Sequence, residues 1–198
     1  MLKNTDDSYG SMARWLHWIT AVLMLAAYVI VYWAELNYAH SSPPWRRLVQ
    51  AHTSVGMTIG AVVLFRLYWR LVNVVPRPEP VSPIQHLAAR ISHLLLYLFM
   101  IAMPVTGWMG TDRVREYFWT IGYRPFKQTA AYDLIVTRWL GLSWEQFDHG
   151  VNFFHERIGG PWIVWMLVLV HAAAALYHHY VQRDRTLVRM LPAIRQRR

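Results

Sequence analysis

The sequence predicts an all-α integral membrane protein with four spans, on three observations. Four apolar runs each approach the roughly 20 residues that a helix needs to cross a bilayer. Of the 198 residues, 55% are hydrophobic and only 16% charged, against about a quarter charged in an average soluble domain. The net charge of +9 gathers at the ends of the apolar runs, a pattern of membrane topology and not of a nucleic-acid surface.

The first run, "LHWITAVLMLAAYVIVYWAEL", is too long for a secretion leader and lacks a small-residue cleavage site, so it is read as a retained span over 14–36. The second, "HTSVGMTIGAVVLFRLYW", predicts a span over 52–72. The prolines of "NVVPRPEPVSPIQHLAAR" read as a linker. The third run, "ISHLLLYLFMIAMPVTGWMG", predicts a span over 90–110. The fourth, "PWIVWMLVLVHAAAALYHHYV", extended backwards, predicts one over 151–181. Residues 111–150 form the longest loop, in which "DLIVTRWLGLSWEQF" reads as a short amphipathic helix. With no internal repeat, the expectation is one membrane domain, 1–198.

An even number of spans puts both termini on one side. Lys3, Arg14, Arg66, Arg70, Arg77, Arg90, Arg183, Arg185, Arg189, Arg195, Arg197 and Arg198 give that side twelve of the 20 basic residues. Several of the other eight lie in the long loop, far from a span end, where they weigh less. Both termini are therefore expected in the cytoplasm.

The chain has no cysteine. That excludes disulfides, thiolate-held iron–sulfur clusters and covalent CxxCH haem attachment. Histidine is plentiful instead. On this topology His17 lies near the inner end of span one and His52 at the outer start of span two. His155 precedes the apolar core of span four, and His171 lies deeper in it. Neutral imidazole is a strong ligand for haem iron, and an ionisable group inside a membrane is a functional candidate. A lone histidine at a helix end is usually interfacial, and a zinc site would gather its ligands at one point. These four divide by depth into two pairs.

Gly56 and Gly60 follow His52 at steps of four, Ala21 follows His17, and Ala175 follows His171. Small residues admit a flat macrocycle, although they equally admit close helix packing. Arg66 lies fourteen residues beyond His52, about 40° off its face, where it either meets the propionates of a cofactor or anchors the inner end of its span. His178 and His179 are read as a quinone contact or as interfacial residues that snorkel. His93 is read as interfacial.

The motifs "RWLHW", "AHTSVG", "FRLYWRL", "HLLLYLFMIAMPVTGW" and "HAAAALYHHYVQRDRTLVRMLP" resemble the bacterial cytochrome b561 family. The resemblance implies a four-helix membrane bundle holding two non-covalent haem b groups. Carried over motif by motif, its axial ligands fall on His17, His52, His155 and His171, with His17 and His171 as the inner pair and His52 and His155 as the outer pair. Some members are similar to superoxide oxidases, which pass electrons from superoxide to ubiquinone. Others serve hydrogenases or dehydrogenases.

The family pattern separates the two span-four ligands by about fourteen residues, which brings a regular helix back to nearly the same face. Here His155 and His171 are sixteen apart, a rotation of about 160°. Gly159, Gly160 and Pro161 lie between them. A wide turn or break around 157–161 is therefore expected, because Pro161 cannot donate to residue 157.

The resulting expectation is a dihaem cytochrome b of the bacterial inner membrane that moves electrons across the bilayer, as a superoxide:ubiquinone oxidoreductase. Two alternatives stand beside it: an electron-transfer subunit docked to a soluble redox partner, and a non-redox transporter or scaffold.

Overall fold

The computed structural model describes residues 1–113 and 115–192; Arg195, Arg197 and Arg198 of the charge count lie outside them. Four helices are long and apolar enough to cross a membrane: α1 (Ser11–Asn37), α2 (Pro43–Val72), α3 (Pro83–Met109) and α5 (Trp144–Gln182). Between α3 and α5 come an antiparallel hairpin of β1 (Arg115–Tyr117) and β2 (Ile121–Tyr123), a 3-10 turn at Phe126–Gln128 and a short helix. That helix, α4 (Ala130–Tyr132), runs on in a wider π-helical form through Asp133–Trp139. A last short helix, α6 (Thr186–Met190), follows α5.

α2, α3 and α5 begin before their apolar runs do, because capping residues start them. The Ser42 side chain accepts from the Trp45 amide ahead of two prolines at the start of α2. Ser82 with Gln85, and Ser143 with Gln146, form reciprocal capping boxes, which satisfy amides that a helix start leaves unpaired. Two sequence expectations are corrected accordingly. The linker ends at Ser82, and "PIQHLAAR" opens α3. The stretch "DLIVTRWLGLSWEQF" is two elements, separated where Gly141 takes φ +64°, a left-handed turn that favours glycine.

Apolar side chains of α1, among them Val22, Leu25 and Val29, are exposed, as a lipid-facing surface requires. The interior is narrow. Ala27, Val55, Ile59, Val63 and Met100 form its centre, and Gly60 lets Pro104 of α3 approach, since a Cβ there would lie 3.4 Å from the proline Cβ. A second cluster of Phe126, Val136 and Phe147, packed against Trp108, Tyr132 and Trp144, holds the long loop. That loop is folded onto the bundle.

The N-terminal segment and α6 lie at one end, here called the terminal end; the hairpin marks the loop end. At the terminal end, Arg189 pairs with Glu79 at 2.8 Å and donates to the Arg77 carbonyl at 2.7 Å. The Trp18 indole donates to the Met190 carbonyl at 2.8 Å, and the Asn4 amide to the Val74 carbonyl at 2.8 Å. These bonds tie α6 to α1 and to the α2–α3 linker, and the N-terminal segment to that linker.

α5 carries the main departure from regular geometry. It is α-helical over Trp144–Phe153, π-helical over Phe154–Val164 and α-helical again over Trp165–Tyr177. The expected break at 157–161 is thus a continuous widened turn. Pro161 has no N–H to give, and i→i+5 bonding is the form a helix takes around such an interruption. The Gly160 carbonyl accepts from Tyr28 Oη of α1 at 2.7 Å. Tyr28→Phe is expected to strand this buried carbonyl and cost about 1–3 kcal/mol, read as a lower unfolding temperature; an unchanged midpoint would show that the bond contributes nothing.

Candidate haem-binding site

The structure brings the four histidines together as two pairs. His17 of α1 and His171 of α5 have ring centroids 6.1 Å apart. His52 of α2 and His155 of α5 have ring centroids 6.3 Å apart. The first pair lies towards the terminal end and the second towards the loop end, with the Val55–Val63 core between them along α2.

Both α5 rings point inwards because of the π segment. Regular winding at 100° per residue would place them about 160° apart. With roughly 4.4 residues per turn for i→i+5 bonding, the nine steps from residue 155 to 164 turn about 740°. The seven α-helical steps to residue 171 add about 700°. The sum is close to four full turns, so the two rings share a face. Fourteen residues of regular helix achieve nearly the same with two fewer residues.

Hydrogen bonding sets the tautomers of the loop-end pair. His52 Nδ1 meets the Ala27 carbonyl at 2.9 Å; a carbonyl only accepts, so Nδ1 carries the proton. His155 Nδ1 lies 3.1 Å from Thr106 Oγ1. That hydroxyl donates to the Ala102 and Met103 carbonyls, at 2.9 and 3.1 Å, and so accepts from His155. Each ring is left with an unprotonated Nε2, the form that binds a metal, with its Nδ1–H oriented by a neighbour. Gly107 makes room for His155, since a Cβ at that position would lie 3.0 Å from the ring Cε1.

The separations fit a bis-imidazole iron site. A metal–nitrogen bond of about 2.0 Å and a little over 1 Å from each nitrogen to its ring centre put trans ligands about 6.2–6.4 Å apart. The observed centroid separations of 6.1 and 6.3 Å match that span. Among the described residues no group of three or more His, Cys, Asp or Glu is arranged to hold a bare metal ion, so the pairs suit a metal that brings its own equatorial ligands. Gly56 has nothing within 4 Å of where its Cβ would be, which leaves open space one turn from His52.

The terminal-end pair has company that the sequence reading discounted. His93 of α3 packs 5.4 Å from His171, at 72°. Its signal was depth alone, which an interfacial residue shares. Arg66 donates to His17 Nδ1 at 2.9 Å and lies over the Tyr97 ring, so it sits beside the pair as its position on α2 suggested.

His178 and His179 lie past the pair. His178 Nδ1 donates to Asp184 Oδ2, and Asp184 Oδ1 accepts from the Thr186 amide at 2.8 Å. His179 packs against Tyr180. Burial opposes ionisation of Asp184, yet the bonds from His178 and Thr186 outweigh it and hold the carboxyl below the usual range. A depressed carboxylate stabilises fully above its unfolded value of about 3.9 and loses that contribution as pH falls through the lower folded value. Asp184→Asn is expected to cost about 1–3 kcal/mol near neutral pH, and the gap from wild type should close below about pH 4. Thermal melts between pH 7 and 3 check it; a gap independent of pH would show that the carboxylate charge is not what matters.

Comparison with known proteins agrees with this architecture. The sequence model of the prokaryotic cytochrome b561 family matches residues 8–193. The chain is 26% identical over 192 residues to cytochrome b561 homolog 2 of Escherichia coli (strain K12), covering 95% of this chain and 93% of that protein. It is 28% identical over 194 residues to the probable superoxide oxidase CybB of Yersinia pestis, covering 93% and 96%. It is 25% identical over 191 residues to cytochrome b562 of Cereibacter sphaeroides, covering 94% and 96%. With a family match across nearly its whole length and four helices able to span a bilayer, the chain belongs to the prokaryotic cytochrome b561 family, bacterial membrane electron-transfer proteins that bind haem b.

Proposed function

We propose that the protein is a superoxide:ubiquinone oxidoreductase of the inner membrane, with two haem b groups held by His52 and His155 at the loop end and by His17 and His171 at the terminal end. The supporting observation is the two imidazole pairs at separate depths, each spaced for one iron. The similarity to a probable superoxide oxidase over 93% of the chain supports the choice of donor. The charge distribution supports a cytoplasmic terminal end, which puts the loop end outside.

The reaction balances as two superoxide anions, one quinone and two protons giving two dioxygen molecules and one quinol. When bound, the haems supply the one-electron chemistry that joins these half-reactions across the bilayer. The chain supplies geometry and protons. Ala27 and Thr106 orient the outer imidazoles through Nδ1. His17 Nε2 would be the atom that holds the iron; its proton would then sit on Nδ1, and Arg66, which donates to that nitrogen at 2.9 Å, would be available to a propionate. Asp184 holds His178 by Nδ1, so Nε2 is the atom that exchanges a proton with a quinone oxygen.

The test begins with a visible spectrum of purified protein, in which two b-type haems are expected. Rapid reduction by superoxide of protein isolated without a partner should follow, with quinol formed in a 1:2 ratio to superoxide. Haem reduced only in the presence of a soluble dehydrogenase would assign the chain to a docked electron-transfer subunit, and a colourless protein would favour the transporter. Replacing His178 and His179 together is expected to slow quinone reduction at normal haem content; an unchanged rate would put the quinone site elsewhere.

A further inference from the structure

The loop end carries a second, unrelated feature. An open surface cavity of about 440 Å³ lies there, lined by Arg46, Arg47 and Gln50 of α2 and by Arg115, Glu116 and Trp119 of the hairpin. Three arginines and one glutamate line the same space. Among the described residues, none of the three is in an ion pair. Three like charges against one carboxylate leave a positive excess, and guanidinium is the group best shaped to grip a phosphate. Independently, Gln50 Nε2 is buried with no hydrogen-bond partner among the described residues. An orphaned buried donor calls for an acceptor.

The cavity is not part of the histidine site. At 100° per residue, Gln50, Arg47 and Arg46 lie roughly 120–160° around α2 from His52. The hairpin is fastened to that same far side. The Phe118 amide donates to Ser54 Oγ at 2.9 Å, and Thr58 Oγ1 meets the Tyr117 hydroxyl at 2.9 Å. The core residues Val55, Ile59 and Val63 are on the His52 side. The cavity therefore looks outwards, away from the bundle.

What lies around it is lipid-like in its demands. Phe118, Trp119 and Ile121 are exposed at the hairpin tip, at 39%, 53% and 66%, and Trp is the typical residue of the membrane–water boundary. Farther down the same side of α2, Leu64, Phe65 and Tyr68 are also exposed. An anion-binding headgroup pocket above an apolar helix face is the arrangement that takes a phospholipid. A superoxide ion, two atoms in size, would fill little of the space.

We propose that this cavity binds the headgroup of an anionic glycerophospholipid of the phosphatidylglycerol type. Arg46, Arg47 and Arg115 hold the phosphate, Gln50 donates to an ester or phosphate oxygen, and Glu116 accepts from the glycerol hydroxyls. The acyl chains run down the same exposed face of α2 towards Leu64.

The test uses the haem-loaded protein in detergent, with its thermal midpoint read against added lipid and its retained lipid read by native mass spectrometry. Phosphatidylglycerol is expected to raise the midpoint by several degrees and to persist as a bound adduct. Phosphatidylcholine and inorganic phosphate at equal concentration should do neither. The same rise with inorganic phosphate would make the ligand a free anion, and an equal response to phosphatidylcholine would remove the site; either overturns the proposal, and neither needs a variant. Arg47→Gln with Arg115→Gln should abolish the adduct while the haem spectrum stays intact. Gln50→Met, which alters no charge, should weaken lipid retention several-fold. Full retention in both variants would also overturn it.

Discussion

His155→Ala is expected to leave the protein with about half its haem, and His52→Ala with the same half. On the proposed ligation, both imidazoles hold one iron, across a ring separation of 6.3 Å. Losing either leaves a single axial ligand in a gap shaped for two. His17→Ala and His171→Ala should lose the other half, across the 6.1 Å separation. The two classes should differ spectroscopically, and each double variant within a pair should look like its singles. A cross-pair double, such as His52→Ala with His171→Ala, should be nearly colourless. Each single should slow superoxide-driven quinone reduction at least about a hundredfold, the equivalent of some 2.7 kcal/mol at the barrier, because the route across the bilayer is cut. Haem assay with low-temperature spectra decides the matter. If His52 and His171 variants lose one common haem, the pairing is wrong.

Register in α5 should be equally unforgiving. The π-helical turn over Phe154–Val164 absorbs two extra residues, so His155 and His171 share a face at a separation of sixteen. Inserting one alanine between Ile158 and Gly159 adds about 80° at the π-helical winding of that segment. It should turn His155 away from His52 and cost the loop-end haem, while His171, anchored below, keeps its own. Deleting Gly159 and Gly160 together restores a fourteen-residue spacing. In regular α-helix that returns to within about 40° of the starting face, so this shortened protein is expected to keep both haems at reduced stability. It also loses the Tyr28 bond to the Gly160 carbonyl. Haem content per protein separates the outcomes. An insertion that keeps both haems, or a deletion that loses both, would show that rotation in this segment is not what aligns the ligands.

Much of the architecture was legible in the residues themselves. Four apolar runs and a low charge content determine four membrane helices, since only a helix can satisfy its own backbone within lipid. The depths of His17, His52, His155 and His171 along those runs dictated which could meet. Depth follows from counting residues at 1.5 Å each, and needs no knowledge of the neighbours.

Rotation was another matter. Whether His155 and His171 share a face depends on how Phe154–Val164 winds, and Gly159, Gly160 and Pro161 permit a break as readily as a π turn. Contacts from other helices accompany the π form: Tyr28 reaches the Gly160 carbonyl from α1, while Thr106 and Gly107 of α3 receive His155. The Nδ1 tautomers likewise depend on Ala27 and Thr106, which lie 25 and 49 residues away from the histidines they orient. His93 was read as interfacial because depth cannot distinguish a ring facing lipid from one facing His171. The hairpin and its arginine cavity left no periodic signal, since strands of three residues are too short to show one. The sequence alone thus determined the spans and the depth of each histidine, because both are counted along one chain. Tertiary structure decided which rings meet and which nitrogen of His52 and His155 carries the proton, because both are fixed by side chains and carbonyls of other helices.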